Sequence, residues 1–210
     1  LLVVSAALIS AADGHLRGLS QLSQAPLPTR SEFRGASLFK GMSWKGLGPK
    51  SAGGRIETID CPPDSPGTFY IGAGSGGVWK TVNGGMTWIP VFDQGPTMAI
   101  GDLAVSPSRP DTVWIGTGES LMARSSFGGE GVFKSTDGGR TWEKMGLADT
   151  HHIGRMVIDP HDPDIVYVAA IGHQYTYNDE RGVFKTSDGG RTWTKSLFIN
   201  ERTGVVDVVM

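Results

Sequence analysis

The 210-residue sequence holds a single cysteine, Cys61, so no disulfide can form within it and its fold rests on packing alone. It also lacks a run of charge of one sign. The net charge is −2, which excludes the basic footprint of a nucleic-acid binder and a polybasic membrane segment. Its apolar stretch LLVVSAALISAA is too short to cross a bilayer, and apolar residues make up a modest 39% of the chain. What the chain has instead is glycine, 31 residues, together with 12 prolines. That mixture fits many short strands joined by tight turns better than it fits helices.

The apolar start, Leu1 to Ala12, ends in the small residues Ser10-Ala11-Ala12 and reads as the remnant of a secretory signal. The expected location is therefore secreted, periplasmic or cell-surface. A start on Leu1 predicts an incomplete gene product. Residues 13–38 show no period and read as a leader or linker. Cys61, in ETIDCPPD near a strand end, is expected to be a buried structural thiol, since no base is paired with it.

Residues 39–210 are organised by a repeat. TVNGGMTW, STDGGRTW and TSDGGRTW close on Trp88, Trp142 and Trp193, about fifty residues apart, the size of a four-stranded blade. IETIDCPPDSP, IGDLAVSPSRP and IGRMVIDPHDP recur in phase, each followed by a β-rich run: TFYIGAG, TVWIGTG and IVYVAAIG. One unit is thus strand, Pro turn, strand, hairpin loop, strand, Gly-Gly turn, strand. The expectation is an all-β, partial β-propeller of four-stranded antiparallel blades at about 54–98, 99–150 and 151–202, with the start of another at 203–210. Three blades and a stub do not close a ring.

The turn has a mechanical reading. Asn83, Asp137 or Asp188 caps the backbone of its own turn, and Thr81, Ser135 or Thr186 adds a second bond. Gly85, Gly139 and Gly190 belong to glycine pairs that supply positive φ, and the Trp packs the turn onto its blade. All of this is structural, so the turn acids are not expected to be catalytic.

These turns resemble the Asp-boxes, or bacterial neuraminidase repeats, of sialidases, sortilin-type propellers and two-propeller xyloglucan-hydrolysing enzymes. GPKSAGGRI, GTGES, DTHHIGRMVIDP, DPDIVYVAAIGH and NERTGVVDVVM are similar to large secreted bacterial proteins described as sortilin N-terminal-like or glycosyl-hydrolase repeat proteins. The similarity runs from about Phe39 to Met210. It implies the propeller fold strongly and leaves function open, because the same propeller hosts enzymes, receptors and assembly factors.

Strand alternation puts the second-to-third-strand hairpins and the inter-blade connections on one face, and the Pro turns and Gly-Gly turns on the other. The hairpins GTGESLMARSSFGGEG and AIGHQYTYNDERG are expanded, whereas GAGSGG is short. Functional loops on a rigid scaffold are expected on that loop face. The ligand-binding candidates are Glu119, His151, His152, Arg155, His173, Tyr175, Tyr177 and Arg181. Imidazoles with one carboxylate suit a metal or polar ligand. However, His151 and His152 on a strand point to opposite faces, so no metal is assigned and no cofactor is expected. His161 and His15 receive no role.

A glycoside hydrolase needs two carboxylates flanking the scissile bond. Xyloglucanase-like enzymes place a catalytic Asp in a Thr-Asp-Ile-Gly-Gly stretch of the hairpin. Here the stretch is Ala73-Gly74-Ser75-Gly76-Gly77, with glycine where that Asp would stand. Sialidases need an arginine cluster, and Arg124, Arg155 and Arg181 do not make a convincing set. The reading favoured from the residues is a binding or scaffold propeller whose loop face meets a peptide, protein or polysaccharide. The alternative is a glycoside hydrolase with Glu119 as the weak catalytic candidate.

Overall fold

The computed structural model describes residues 54–121 and 126–210, which lie in one compact unit, 47–210. The expected signal remnant, the leader, His15 and Arg124 lie outside the described residues.

Among the described residues, twelve strands form three four-stranded antiparallel sheets, each ordered as it runs along the chain. The first blade comprises β1 (Ile56–Asp60), β2 (Phe69–Ala73), β3 (Gly77–Thr81) and β4 (Ile89–Pro90). The second comprises β5 (Ile100–Val105), β6 (Val113–Thr117), β7 (Val132–Ser135) and β8 (Glu143–Gly146). The third comprises β9 (Ile153–Ile158), β10 (Val166–Ala170), β11 (Gly182–Thr186) and β12 (Thr194–Leu197). The expectation of all-β propeller blades is met. No α-helix occurs among the described residues; a single 3-10 turn, Ala148–Thr150, precedes β9.

Burial follows position in the blade. β5 and β6, VWIGT in the second case, are buried at every residue, as continuous β-branched and aromatic runs require when both faces are covered. Outermost β12 is exposed throughout, and β4 is two residues long, so the edges are short or polar.

The core lies between blades. One apolar cluster joins Tyr70, Val78 and Phe92 to Ile115 and Phe133; the other joins Trp114 and Val132 to Ile153, Val168 and Phe184. Two close approaches set the spacing. A Cβ on Gly72 would lie 2.6 Å from Ile100 Cγ2, and one on Gly116 would lie 2.5 Å from Ile153 Cγ2. Glycine is required there because the next blade's isoleucine fills the space. At the rim, the indole Nε1 of Trp142 donates to Val91 O at 2.7 Å, and that of Trp193 to Met145 O at 2.6 Å. Each of these tryptophans therefore ties its turn to the preceding blade as well as packing its own.

Every innermost strand carries a β-bulge where it meets the second strand. The register shifts between Ile56 and Thr58, between Ile100 and Asp102, and at the corresponding place in β9, which leaves Glu57, Gly101 and Gly154 as the extra residues. A Cβ at Gly101 would strike Ile153 O, and one at Gly154 would strike Val206 O. Glu57 is the exception among the three.

One expectation is corrected. Cys61 is exposed, not buried. The chain turns outward after β1, and Pro62 takes the buried position beside it. Residues 203–210 form no strand, although Val205 N–H donates to Ala170 O at 3.1 Å.

Candidate functional site

The β1 bulge aims the Glu57 side chain at the hairpin between β2 and β3, where it is fully enclosed (0% exposed). Its Oε1 lies 2.5 Å from Arg55 Nε, and its Oε2 accepts a hydrogen bond from Ser120 Oγ at 2.9 Å. Glu119, at the end of the second blade's β6, reaches the same guanidinium: Arg55 NH2 to Glu119 Oε2 is 2.8 Å, with the Glu119 side chain 4% exposed. Arg55 also donates to Leu121 O at 2.5 Å. Beneath this ion triad lies Gly74. A Cβ there would come within 2.9 Å of Glu57 Oε1 and 3.4 Å of Glu119 Cδ. The two carboxylates thus occupy the volume a side chain at 74 would need. A cleft of about 330 Å³, lined by Ser75, Met98, Ala99 and Phe127, opens at the hairpin.

The third blade adds imidazoles. His152 is buried, and its Nδ1 lies 3.0 Å from Glu119 O. His151 stacks on His173 with ring centroids 3.6 Å apart. Contrary to the expected strand alternation, neither histidine is in a strand. β9 begins at Ile153, and His151 caps the 3-10 turn with φ of 53°, a left-handed value. Burial first, then electrostatic interaction with His173, pushes the His151 pKa below its ordinary value. Burial likewise lowers that of His152, against the opposing pull of Glu119 O. Both imidazoles are therefore neutral at neutral pH and contribute donors and acceptors, not charge. Among the described residues no three His, Cys, Asp or Glu side chains converge to hold a metal ion.

The remaining candidates are dispersed. Arg155 Nε lies 3.3 Å from Asp207, on the neighbouring segment. The Arg181 guanidinium is buried and donates to the carbonyls of Ile171 at 2.8 Å and Thr176 at 3.1 Å, and also to that of His173. It staples its own hairpin. Tyr175 and Tyr177 stand out at 79% and 67% exposure, the latter with the Arg202 guanidinium 4.6 Å from its ring.

The turns are closed networks. Asp137 Oδ1 accepts from Thr141 N–H at 2.9 Å and Ser135 Oγ at 2.8 Å, and Asp188 repeats the pattern with Thr192 and Thr186. Asn83 does the same with Thr87 N–H at 2.9 Å and Thr81 Oγ1 at 3.0 Å. Gly85, Gly139 and Gly190 have φ between 87° and 92°. The hydrogen bonds from Thr141 lead those that hold Asp137 well below the usual carboxylate range. Thr192 does the same for Asp188, lowering it to about 2.

Arg55 and Glu57 were missed in the sequence. The available signal was positional: the in-phase segments carry Gly101 and Gly154 where the first carries Glu57. Chemically, two acceptors with a guanidinium donor suit a ligand rich in hydroxyls.

The fold is that of a β-propeller segment. No family model matches the chain. It is 27% identical over 199 residues to a xyloglucanase of Paenibacillus sp, covering 88% of this chain and 18% of that protein. It is 29% identical over 119 residues to an oligoxyloglucan-reducing end-specific xyloglucanase of Emericella nidulans, covering 54% of this chain and 14% of that one. The chain thus spans less than a fifth of the length of these relatives. Among solved structures, the GH74 xyloglucanase from Xanthomonas campestris superposes with a TM-score of 0.50 at 22% identity, over 70% of this chain and 21% of that one. This last likeness bears on fold alone.

Proposed function

We propose that the protein is a secreted Asp-box propeller acting on a β-glucan of the xyloglucan type, with its substrate on the loop face. The observation that carries this reading is the sequence similarity to relatives named as xyloglucanases, which extends over as much as 88% of the chain. It favours hydrolase function over the receptor-like, sortilin-type role that the residues alone suggested. The geometry supports the choice of face. The polar triad of Arg55, Glu57 and Glu119, the His151–His173 stack and the exposed Tyr175 and Tyr177 all lie on hairpins and blade junctions, and exposed aromatic rings suit the flat faces of pyranose units. The turns of Asn83, Asp137 and Asp188 are then scaffold. The apolar stretch LLVVSAALISAA fits export to where such a polymer is met. No helix among the described residues is long and apolar enough to cross a membrane.

Incubating the purified protein with xyloglucan and with an unsubstituted β-glucan, and counting new reducing ends, tests the reading. Sugar release from xyloglucan supports it. Gly74 favours one second reading, a propeller that holds the polymer without cleaving it. Saturable binding with no new reducing ends would select that reading, and neither binding nor release would remove both.

A further inference from the structure

We propose that the chain pairs with a second copy of itself through the β3–β4 hairpin of its first blade and the cleft beside it, a surface that takes no part in the polysaccharide reading. Two observations mark this surface. First, the three Gly-Gly hairpins align residue for residue, and the first alone of the three is apolar where it meets solvent. Val82, Met86 and Ile89, each more than half exposed, stand where the second blade has Thr136, Arg140 and Glu143 and the third has Ser187, Arg191 and Thr194. The second blade is packed on both sides, against the first and the third, yet its Thr136, Arg140 and Glu143 remain exposed. A further blade packed behind the first would therefore leave Val82, Met86 and Ile89 in solvent. An exposed apolar group of this kind marks an interaction site. Second, Val82 and Ile89 border a cleft of about 770 Å³ whose apolar lining continues through Val91, Phe92 and Trp142.

Charge and backbone select the occupant. Asp93, after β4, and Arg140, on the second blade's turn, are exposed at the same cleft, and among the described residues no ion pair holds either. Lys80, which also lines the cleft, is engaged: its Nζ donates to Gly138 O at 2.9 Å. A two-fold axis through the apolar centre sets Asp93 of each copy against Arg140 of the other, so the surface is complementary to itself. An extended peptide is a poorer occupant. β4 is two residues long and its Pro90 has no N–H to donate, so strand addition finds little edge to extend, and contact is made by side chains.

Sedimentation velocity of the full chain over a range of concentrations tests this. The wild type is expected to form a reversible dimer. Val82→Thr, Met86→Arg and Ile89→Glu combined should weaken dimerisation by about tenfold or more. These substitutions install the residues that the second blade already carries, so the melting temperature of the monomer should stay near that of the wild type. Arg140→Asp and Asp93→Arg should each weaken the dimer by about tenfold, because each sets like charges together twice across the axis. The two combined should recover most of that loss, since the pair re-forms with its signs exchanged. A wild type that stays monomeric at every concentration would assign the surface to a different protein and overturn the pairing. A dimer insensitive to the triple variant, or charge reversals that fail to compensate one another, would overturn it as well.

Discussion

Thr58 Oγ1 donates a 2.6 Å hydrogen bond to Asp102 Oδ1, joining the innermost strands of the first and second blades. The other carboxylate oxygen accepts from Met156 N–H at 2.7 Å, so one aspartate links all three blades. Burial pushes the Asp102 carboxyl above its ordinary 3.8, against the lowering pull of Thr58, Met156 and the Arg155 charge. A group raised in the folded state adds most stability below its unfolded pKa and loses that contribution as pH rises through the folded value. Asp102→Asn should therefore flatten the pH dependence of stability from acid to neutral. Asp102→Ala, which strips Met156 N–H of its acceptor, should cost about 1–3 kcal/mol. Urea midpoints at about pH 4 and about pH 7 check both.

The Gly116–Ile153 approach predicts coupled mutations. Gly116→Ala places a methyl 2.5 Å from Ile153 Cγ2. It should cost about 1–3 kcal/mol by overpacking. Ile153→Ala alone should cost about 2–5 kcal/mol. The double variant should lose less than the sum, because the new methyl occupies space the isoleucine vacates, and a double-mutant cycle in urea measures the difference.

The turns predict a natural substitution. In the first blade Asn83 makes the turn, with Nδ2 donating to Thr87 Oγ1 at 2.8 Å where Asp188 Oδ2 accepts from Thr192 Oγ1. Asp188→Asn should then keep the turn, whereas Asp188→Ala should not. The Asp188 pKa is depressed to about 2, so its contribution is present above the unfolded value of 3.8 and lost as pH falls towards 2. Acid unfolding followed by tryptophan fluorescence should show Asp188→Asn less acid-sensitive than the wild type.

Arg181 should act through its hairpin. Arg181→Lys cannot satisfy the carbonyls of Ile171, His173 and Thr176 from one ammonium. A loss of about 1–3 kcal/mol is expected, with faster proteolysis between residues 172 and 181.

Much of this was legible before any coordinates. Blade architecture and strand order followed from the phase of Trp88, Trp142 and Trp193 with the Pro turns, because propensity and punctuation agree at every turn. The site was only partly legible. Glu119 and His152 do meet, but through a backbone carbonyl. Arg181, a ligand candidate by its charge, is consumed by its own loop. Glu57 escaped notice because a bulge breaks the period of two on which strand reading depends; within a regular strand it would be one more half-buried polar residue. Cys61 fell on the wrong side for a similar reason, a local change of direction at a proline pair.

The central claim is that sugar meets the loop face while the Gly-Gly turns serve as scaffold. Hydrogen exchange with and without a saturating xyloglucan oligosaccharide tests it most directly. Slower exchange is expected in segments 72–77, 117–121 and 151–154, with 83–88, 137–142 and 188–193 unchanged. Slowing confined to those turns, or none on the loop face while sugar is bound, would contradict it.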